Sequence, residues 1–236
     1  MSETLLAPAK LTLSLRMTGV REDGMHLLDA EMVTVSLADQ LTVSEGPASV
    51  SISGKSSGVE VGEGNTVMQA MKLAGVEAQV EINKQITTQA GLGGGSADAA
   101  AIFRWAGFTD LDAAASIGAD IPFCIKGGRA RVTGIGEVLE PLPFEEQDFT
   151  LYTPGFGCST VEVYKRWDEL GSPTGHNGND LEPAALAIYP ELEEAKKKLW
   201  EAAGKEPRLA GSGSTWFVEG HVKGDAFVRC SAVEVA

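Results

Sequence analysis

Leu11, Leu13, Leu15 and Met17 alternate with Thr12, Ser14 and Arg16, the period of two of a half-buried strand. Residues 32–37 and 41–43 read as two further short strands, and Asp23-Gly24 is the nearest turn signal. The Ser-, Gly- and Val-rich stretch 50–64 predicts a short edge strand with loops, after which Asn65 caps a helix to Leu73 that Gly75 stops. Val76, Ala78, Val80 and Ile82 alternate with Glu77, Gln79 and Glu81, which predicts a strand running into a glycine-rich loop at 87–96. That loop opens an alanine-rich helix ending near Gly107. Thr109 and Asp112 have the spacing of a capping pair for a short helix over 111–117, and 121–125 and 129–133 read as strands. The pattern pauses at Pro141, Pro143 and Glu145-Glu146, then restarts with a strand at 149–153. Ser159 with Glu162 predicts a helix to Leu170, 191–203 a second one stopped by Gly204, and 215–218 a strand. The order predicts an α+β chain of two lobes, 1–146 and 147–236.

Composition narrows the partners. A formal net charge of −14 over 236 residues argues against a broad nucleic-acid or anionic-membrane surface, which needs clustered Lys and Arg. It leaves room for a phosphate bound locally by backbone N–H groups. Cys124, Cys158 and Cys230 are scattered and include no C-x-x-C, and His26, His176 and His221 are equally dispersed, which makes a structural zinc site an unfavoured reading. The first sixteen residues lack the basic head and apolar run of a secretory leader. No apolar stretch approaches the roughly 18–20 residues of a membrane span. The expectation is a cytoplasmic protein with reduced thiols, acting on a small molecule as a monomer or homodimer.

The segment Ala90-Gly-Leu-Gly-Gly-Gly-Ser-Ala97 carries the most chemistry. Consecutive glycines let a backbone approach a ligand and adopt positive φ, and the following helix turns its unpaired N–H groups toward the loop. Together they suit the phosphates of a nucleotide. Ser96 can donate a hydroxyl to a phosphate or a magnesium ion, and Asp98 is expected in the first helical turn, where a carboxylate gains about 0.3–1 kcal/mol. A Walker loop is excluded because no lysine lies between Lys84 and Lys126. The dinucleotide fingerprint fails because Ser96 stands where Gly or Ala is needed after Gly91 and Gly93.

Three blocks in order resemble the GHMP kinases. They are Ala7-Pro-Ala-Lys10 with Asp23-Gly-Met-His26, the glycine loop through Ala100, and Gly118-Ala-Asp-Ile-Pro122 followed by Gly134-Ile-Gly-Glu137. Weaker echoes are Asn179-Asp-Leu-Glu-Pro183 and Ala210-Gly-Ser-Gly213. The likeness is nearest to the branch that phosphorylates a cytidine-diphosphate polyol in the non-mevalonate isoprenoid pathway. The resemblance implies a two-lobed GHMP kinase fold, with an N-terminal ATP-binding lobe like ribosomal protein S5 domain 2 and a ferredoxin-like C-terminal lobe completing the substrate site. It implies ATP and Mg²⁺, with Lys10 and Asp120 as catalytic residues. Asn65, Lys84 and the loop residues Ala90, Gly91, Leu92, Gly93, Gly94, Gly95, Ser96 and Ala97 match its nucleotide positions, with Ser96 as metal ligand. Thr12, Met25, His26, Thr160, Tyr164 and Gly213 match its substrate positions. The family usually has Asn where Thr12 stands, an aromatic residue at Met25 and Pro at Thr87, and the segment before Asp120 and the chain end are compressed.

Physical chemistry fits these roles without deciding them. A hydroxyl attacking a phosphoryl group must lose its proton, and a nearby carboxylate is the natural acceptor. A lysine beside it adds positive charge to the transferring group. An imidazole reads a base edge and an aromatic ring stacks on a base. Asn65 serves equally as a helix cap, and Tyr164 equally as a core residue. Two other readings stand beside a cytidylated substrate: a GHMP kinase for another alcohol such as homoserine or a sugar, and a silent nucleotide-binding module. The presence of both Lys10 and Asp120 weighs against the last.

Overall fold

The computed structural model describes residues 2–55 and 61–235. In chain order the elements are β1 (Ser2–Val20), β2 (His26–Ser44), β3 (Ser49–Gly54), α1 (Thr66–Ala74), β4 (Gln79–Lys84), α2 (Gly94–Trp105), α3 (Leu111–Ala115), α4 (Ile121–Lys126), β5 (Arg129–Gly134) and β6 (Val138–Pro141). They continue as β7 (Asp148–Tyr152), α5 (Thr160–Glu169), α6 (Glu182–Ile188), α7 (Leu192–Ala203), β8 (Arg208–Leu209), β9 (Trp216–Glu219) and β10 (Val228–Ser231). Part of the 50–64 stretch lies outside the described residues; its strand is β3, paired in parallel with β4.

A long antiparallel hairpin, β1 with β2, organises the first sheet. Along its other edge β2 pairs with β4 through residues 40–44 and with β5 through 28–33, and β3 and β6 lie outside these. The two strands expected at 32–37 and 41–43 are one continuous strand. Asp39 breaks the apolar pattern between them, yet it is fully buried, and Lys84 and the backbone N–H of Ile86 bond its carboxylate. A satisfied buried charge does not interrupt a ladder; an unsatisfied one would.

One side of the hairpin packs on α2, whose Ala97, Ala99, Ala100 and Ala101 are all buried. Small side chains let this helix sit deep against its neighbours. The hairpin's opposite side, through Ala9, Leu11, Leu13, Val33 and Val35, packs on Phe149, Leu151 and Phe217 of the second sheet. Coverage on both sides explains why Leu11, Thr12 and Leu13 are buried in succession. The second sheet, ordered β10-β7-β9-β8 and antiparallel throughout, has the 4-1-3-2 order of a ferredoxin-like sheet. Residues 220–227, which join β9 to β10, form no helix.

Two local expectations fail. Residues 121–125 form helix α4, not a strand: four successive residues from Ile121 to Cys124 are buried, so the run carries no period, and Pro122 sits in the first turn where its missing N–H costs nothing. Asp110, not Thr109, caps α3, accepting from the Ala113 N–H at 3.0 Å. Asn65 and Ser159 cap α1 and α5 as expected. Among the described residues no helix is long and apolar enough to cross a membrane.

Candidate active site

The register of β1 slips between Pro8 and Lys10 and again between Thr12 and Ser14, bracketing the segment that carries Lys10. Such bulges re-aim side chains. Lys10 is 6% exposed; its Nζ lies 3.2 Å from Asp120 Oδ2 and donates to Thr12 Oγ1 at 3.1 Å. Asp120 stands at the N-terminus of α4, but its carboxylate makes no capping bond and stays open to the cleft. Thr12 lies behind the lysine as its hydrogen-bond partner and is not among the lining residues.

The glycine loop runs over this pair. Gly93 is the N-cap of α2 at φ 67°, and a Cβ there would fall 2.8 Å from Lys10 Cγ. Gly91 has φ 77°, and its Cβ would fall 2.0 Å from the Ala210 carbonyl oxygen. Glycine is therefore required by close packing as well as by any ligand. Gly94 and Gly95, expected to use positive φ, instead begin the helix, and with Ser96 they leave backbone N–H groups at its N-terminus without a partner among the described residues. Ser96 faces the Asp120 loop, its Oγ 3.7 Å from where a Cβ on Gly118 would lie. Ala90, Gly91 and 93–96 line the cleft. Leu92 and Ala97 are buried beneath it, and the Leu92 carbonyl accepts the Lys10 N–H at 3.1 Å.

Below the loop, Lys84 Nζ is bonded to Asp39 and, at 2.6 Å, to Asp98, with all three side chains buried. Asp98 lies beyond the first helical turn, so its role is this contact and not the helix dipole. Burial pushes the Asp98 carboxyl up to about 7; Lys84 opposes this and Asp39 adds to it. Burial also works against the Lys84 ammonium, but the charges of Asp98 and Asp39 raise it above its usual value. Lys84 borders the cleft, whereas Asn65 does not: its carboxamide accepts from the Val67 N–H at 2.9 Å as the cap of α1. The neighbouring Thr66 lines the cleft instead and donates to the Gly95 carbonyl at 2.9 Å.

The cleft, about 780 Å³, continues to His26, Met25, Thr160 and Tyr164. The His26 ring lies 5.0 Å from that of Tyr164 and 5.7 Å from that of Trp167, and its Nε2 is 2.9 Å from Asp168 Oδ1. Burial, then the charge of Asp120, pushes the Tyr164 hydroxyl up to about 12. Met25 is 44% exposed at the rim. Thr160 Oγ1 is 2.9 Å from Ser212 Oγ, and Gly211 and Ser212 border the cleft while Gly213 packs against Cys158 and Leu209. Asn179 Nδ2 holds this loop by donating to the carbonyls of Leu209 at 2.9 Å and Gly211 at 2.7 Å.

The structure thus gathers Lys10, Asp120, Lys84, most of the glycine loop, Met25, His26, Thr160 and Tyr164 around one cavity, and leaves Thr12, Asn65, Leu92, Ala97 and Gly213 off its wall. Sequence reading missed Asp39, Thr66, Asp168 and Ser212. Asp39 had a signal, an acid between the apolar runs 32–37 and 41–43; Asp168 had the i+4 spacing from Tyr164 on α5.

No protein-family model matches the chain. It is 37% identical over 235 residues to 4-diphosphocytidyl-2-C-methyl-D-erythritol kinase of Paracoccus denitrificans, covering 89% of this chain and 84% of that protein. A crystal structure of 4-(cytidine 5'-diphospho)-2C-methyl-D-erythritol kinase superposes with a TM-score of 0.72 at 30% identity, over 92% of this chain and 89% of that one. Homoserine kinase from Cytophaga hutchinsonii shares the fold, with a TM-score of 0.61 at 17% identity over 93% and 85% of the two chains.

Proposed function

Because the chain belongs to the 4-diphosphocytidyl-2-C-methyl-D-erythritol kinase family, we propose that its cleft moves the terminal phosphoryl group of ATP to the 2-hydroxyl of 4-(cytidine 5'-diphospho)-2-C-methyl-D-erythritol. The observation that carries this reading is Lys10 Nζ at 3.2 Å from Asp120 Oδ2 in the cavity that also holds the glycine loop and His26. Asp120 takes the proton of the attacking hydroxyl, and its freedom from capping leaves an oxygen for that contact. Lys10 keeps the carboxylate in place and presents its charge to the transferring group. The N–H groups of Gly94, Gly95 and Ser96 hold the phosphates, and Lys84 orders the loop from below. His26 and Tyr164 receive the cytosine, with Met25 at the rim. In domain terms, residues 1–146 form the ATP-binding lobe and 147–236 the lobe that completes the substrate site.

Magnesium fits this arrangement. The ion commonly binds through substrate phosphates and one or two protein oxygens, and the Ser96 hydroxyl stands between the glycine loop and the Asp120 loop. When bound there it would neutralise charge on the phosphates.

A coupled assay of ADP release tests the reading. Release should depend on the cytidylated polyol and be negligible with homoserine or galactose. Turnover of either alternative at a comparable kcat/KM, with none on the cytidylated substrate, would overturn it.

A further inference from the structure

The mouth of the cleft holds a side chain that the proposed chemistry does not use. Asp168, on α5, lines the cavity with a half-exposed carboxylate and meets His26, the first residue of β2, at 2.9 Å. A carboxylate oxygen only accepts, so the imidazole hydrogen lies on Nε2. In a neutral ring the remaining nitrogen, Nδ1, is then bare, and among the described residues nothing bonds it. The rings of Tyr164 and Trp167 hold the imidazole from the sides, limiting its rotation.

We propose that Asp168 is a positioning residue that holds His26 as the Nε2–H tautomer, so that its bare Nδ1 selects cytosine over uracil. This rests on the cytosine-reading role given to His26 above. An acceptor at that position accepts from the exocyclic amine of cytosine, whereas uracil presents a carbonyl oxygen there and the two lone pairs repel. The opposite tautomer would donate and would welcome uracil. A single aspartate thereby turns an imidazole, which can present either polarity, into a one-way reader.

The test has two independent parts. ¹⁵N spectra of the ligand-free protein at a pH of about 8, above the ordinary imidazole range, should show His26 with a protonated Nε2 and a bare Nδ1. The reverse tautomer, or a ring protonated at both nitrogens, overturns the proposal whatever the substrate is. In kinetics, Asp168→Ala should lower the preference for the cytidine substrate over its uridine analogue roughly 10- to 100-fold, with the KM for ATP unchanged. Asp168→Asn, which still offers an oxygen to Nε2–H, should keep the preference within about threefold of wild type. Unchanged discrimination in Asp168→Ala, or equal losses in both variants, refutes the role of Asp168. Equal use of cytidine and uridine substrates by the wild type, with the expected ¹⁵N pattern, refutes instead the reading of His26 as the base-recognition residue.

Discussion

Gly93→Ala adds one methyl group at the meeting point of the phosphate loop and the catalytic lysine. The residue has φ 67°, a left-handed conformation that costs an L-residue about 1–2 kcal/mol. The new Cβ would lie 2.8 Å from Lys10 Cγ and 3.2 Å from Cε, inside van der Waals contact with the stem of a buried side chain. The lysine cannot swing away freely, because its ammonium is held by Asp120 at 3.2 Å and Thr12 at 3.1 Å. Relief must come from moving Lys10 or unwinding the start of α2. The melting temperature should fall by about 2–4 °C per kcal/mol lost for a chain of this size. Displacement of catalytic groups by about 1 Å costs on the order of 10²-fold, so kcat should fall tenfold or more while the cytidylated substrate's KM changes little. Melting curves and steady-state kinetics on the same preparation measure both. A folded variant with kcat within twofold of wild type would show that Lys10 is not positioned by this contact.

Asp120→Asn should abolish turnover with ATP affinity within a few-fold of wild type, since the amide is nearly isosteric but takes no proton; calorimetric titration with ATP and a turnover assay decide it, and near-normal kcat removes Asp120 from its role. Burial pushes the Asp98 carboxyl up to about 7 in the fold from its ordinary 3.8, so between these pH values the folded state holds a proton that the unfolded chain releases, and its contribution to stability declines as pH rises through that window. Denaturant melts of Asp98→Asn should lack this decline, and identical pH profiles for the two proteins would contradict the assignment. Asn179→Ala leaves the buried carbonyls of Leu209 and Gly211 without their amide donor, so stability should drop by roughly 1–3 kcal/mol per unsatisfied group and the KM for the cytidylated substrate should rise; an unaltered melting temperature would mean that the 211–213 loop holds itself.

Local chemistry was legible in the chain because it depends on neighbours in sequence. The hairpin turn at Asp23-Gly24, the caps at Asn65 and Ser159, and the stops at Gly75 and Gly204 each act within a few residues. The glycine loop was likewise readable, since a backbone that must come close to something announces itself in residue type; the Gly118–Pro122 block stood out only through its likeness to the GHMP kinases. Burial on all sides erases period, which is why 121–125 reads as a strand; the acid at Asp39 splits the apolar pattern, which is why 32–37 and 41–43 read as two strands where one runs through 26–44.

What only the tertiary structure decided is which long-range partner each polar group finds. Asp39 and Lys84 are 45 residues apart, and His26 and Asp168 are 142 apart. No spacing rule joins such pairs, because the sheet pairing and the docking of α5 bring them together. The same holds for Thr12 and Asn65, whose residue types suit a ligand but whose hydrogen bonds are already taken by Lys10 and by the Val67 N–H. A side chain's capacity to bond is written in the chain; whether that capacity remains free for a ligand depends on the packing of distant segments around it.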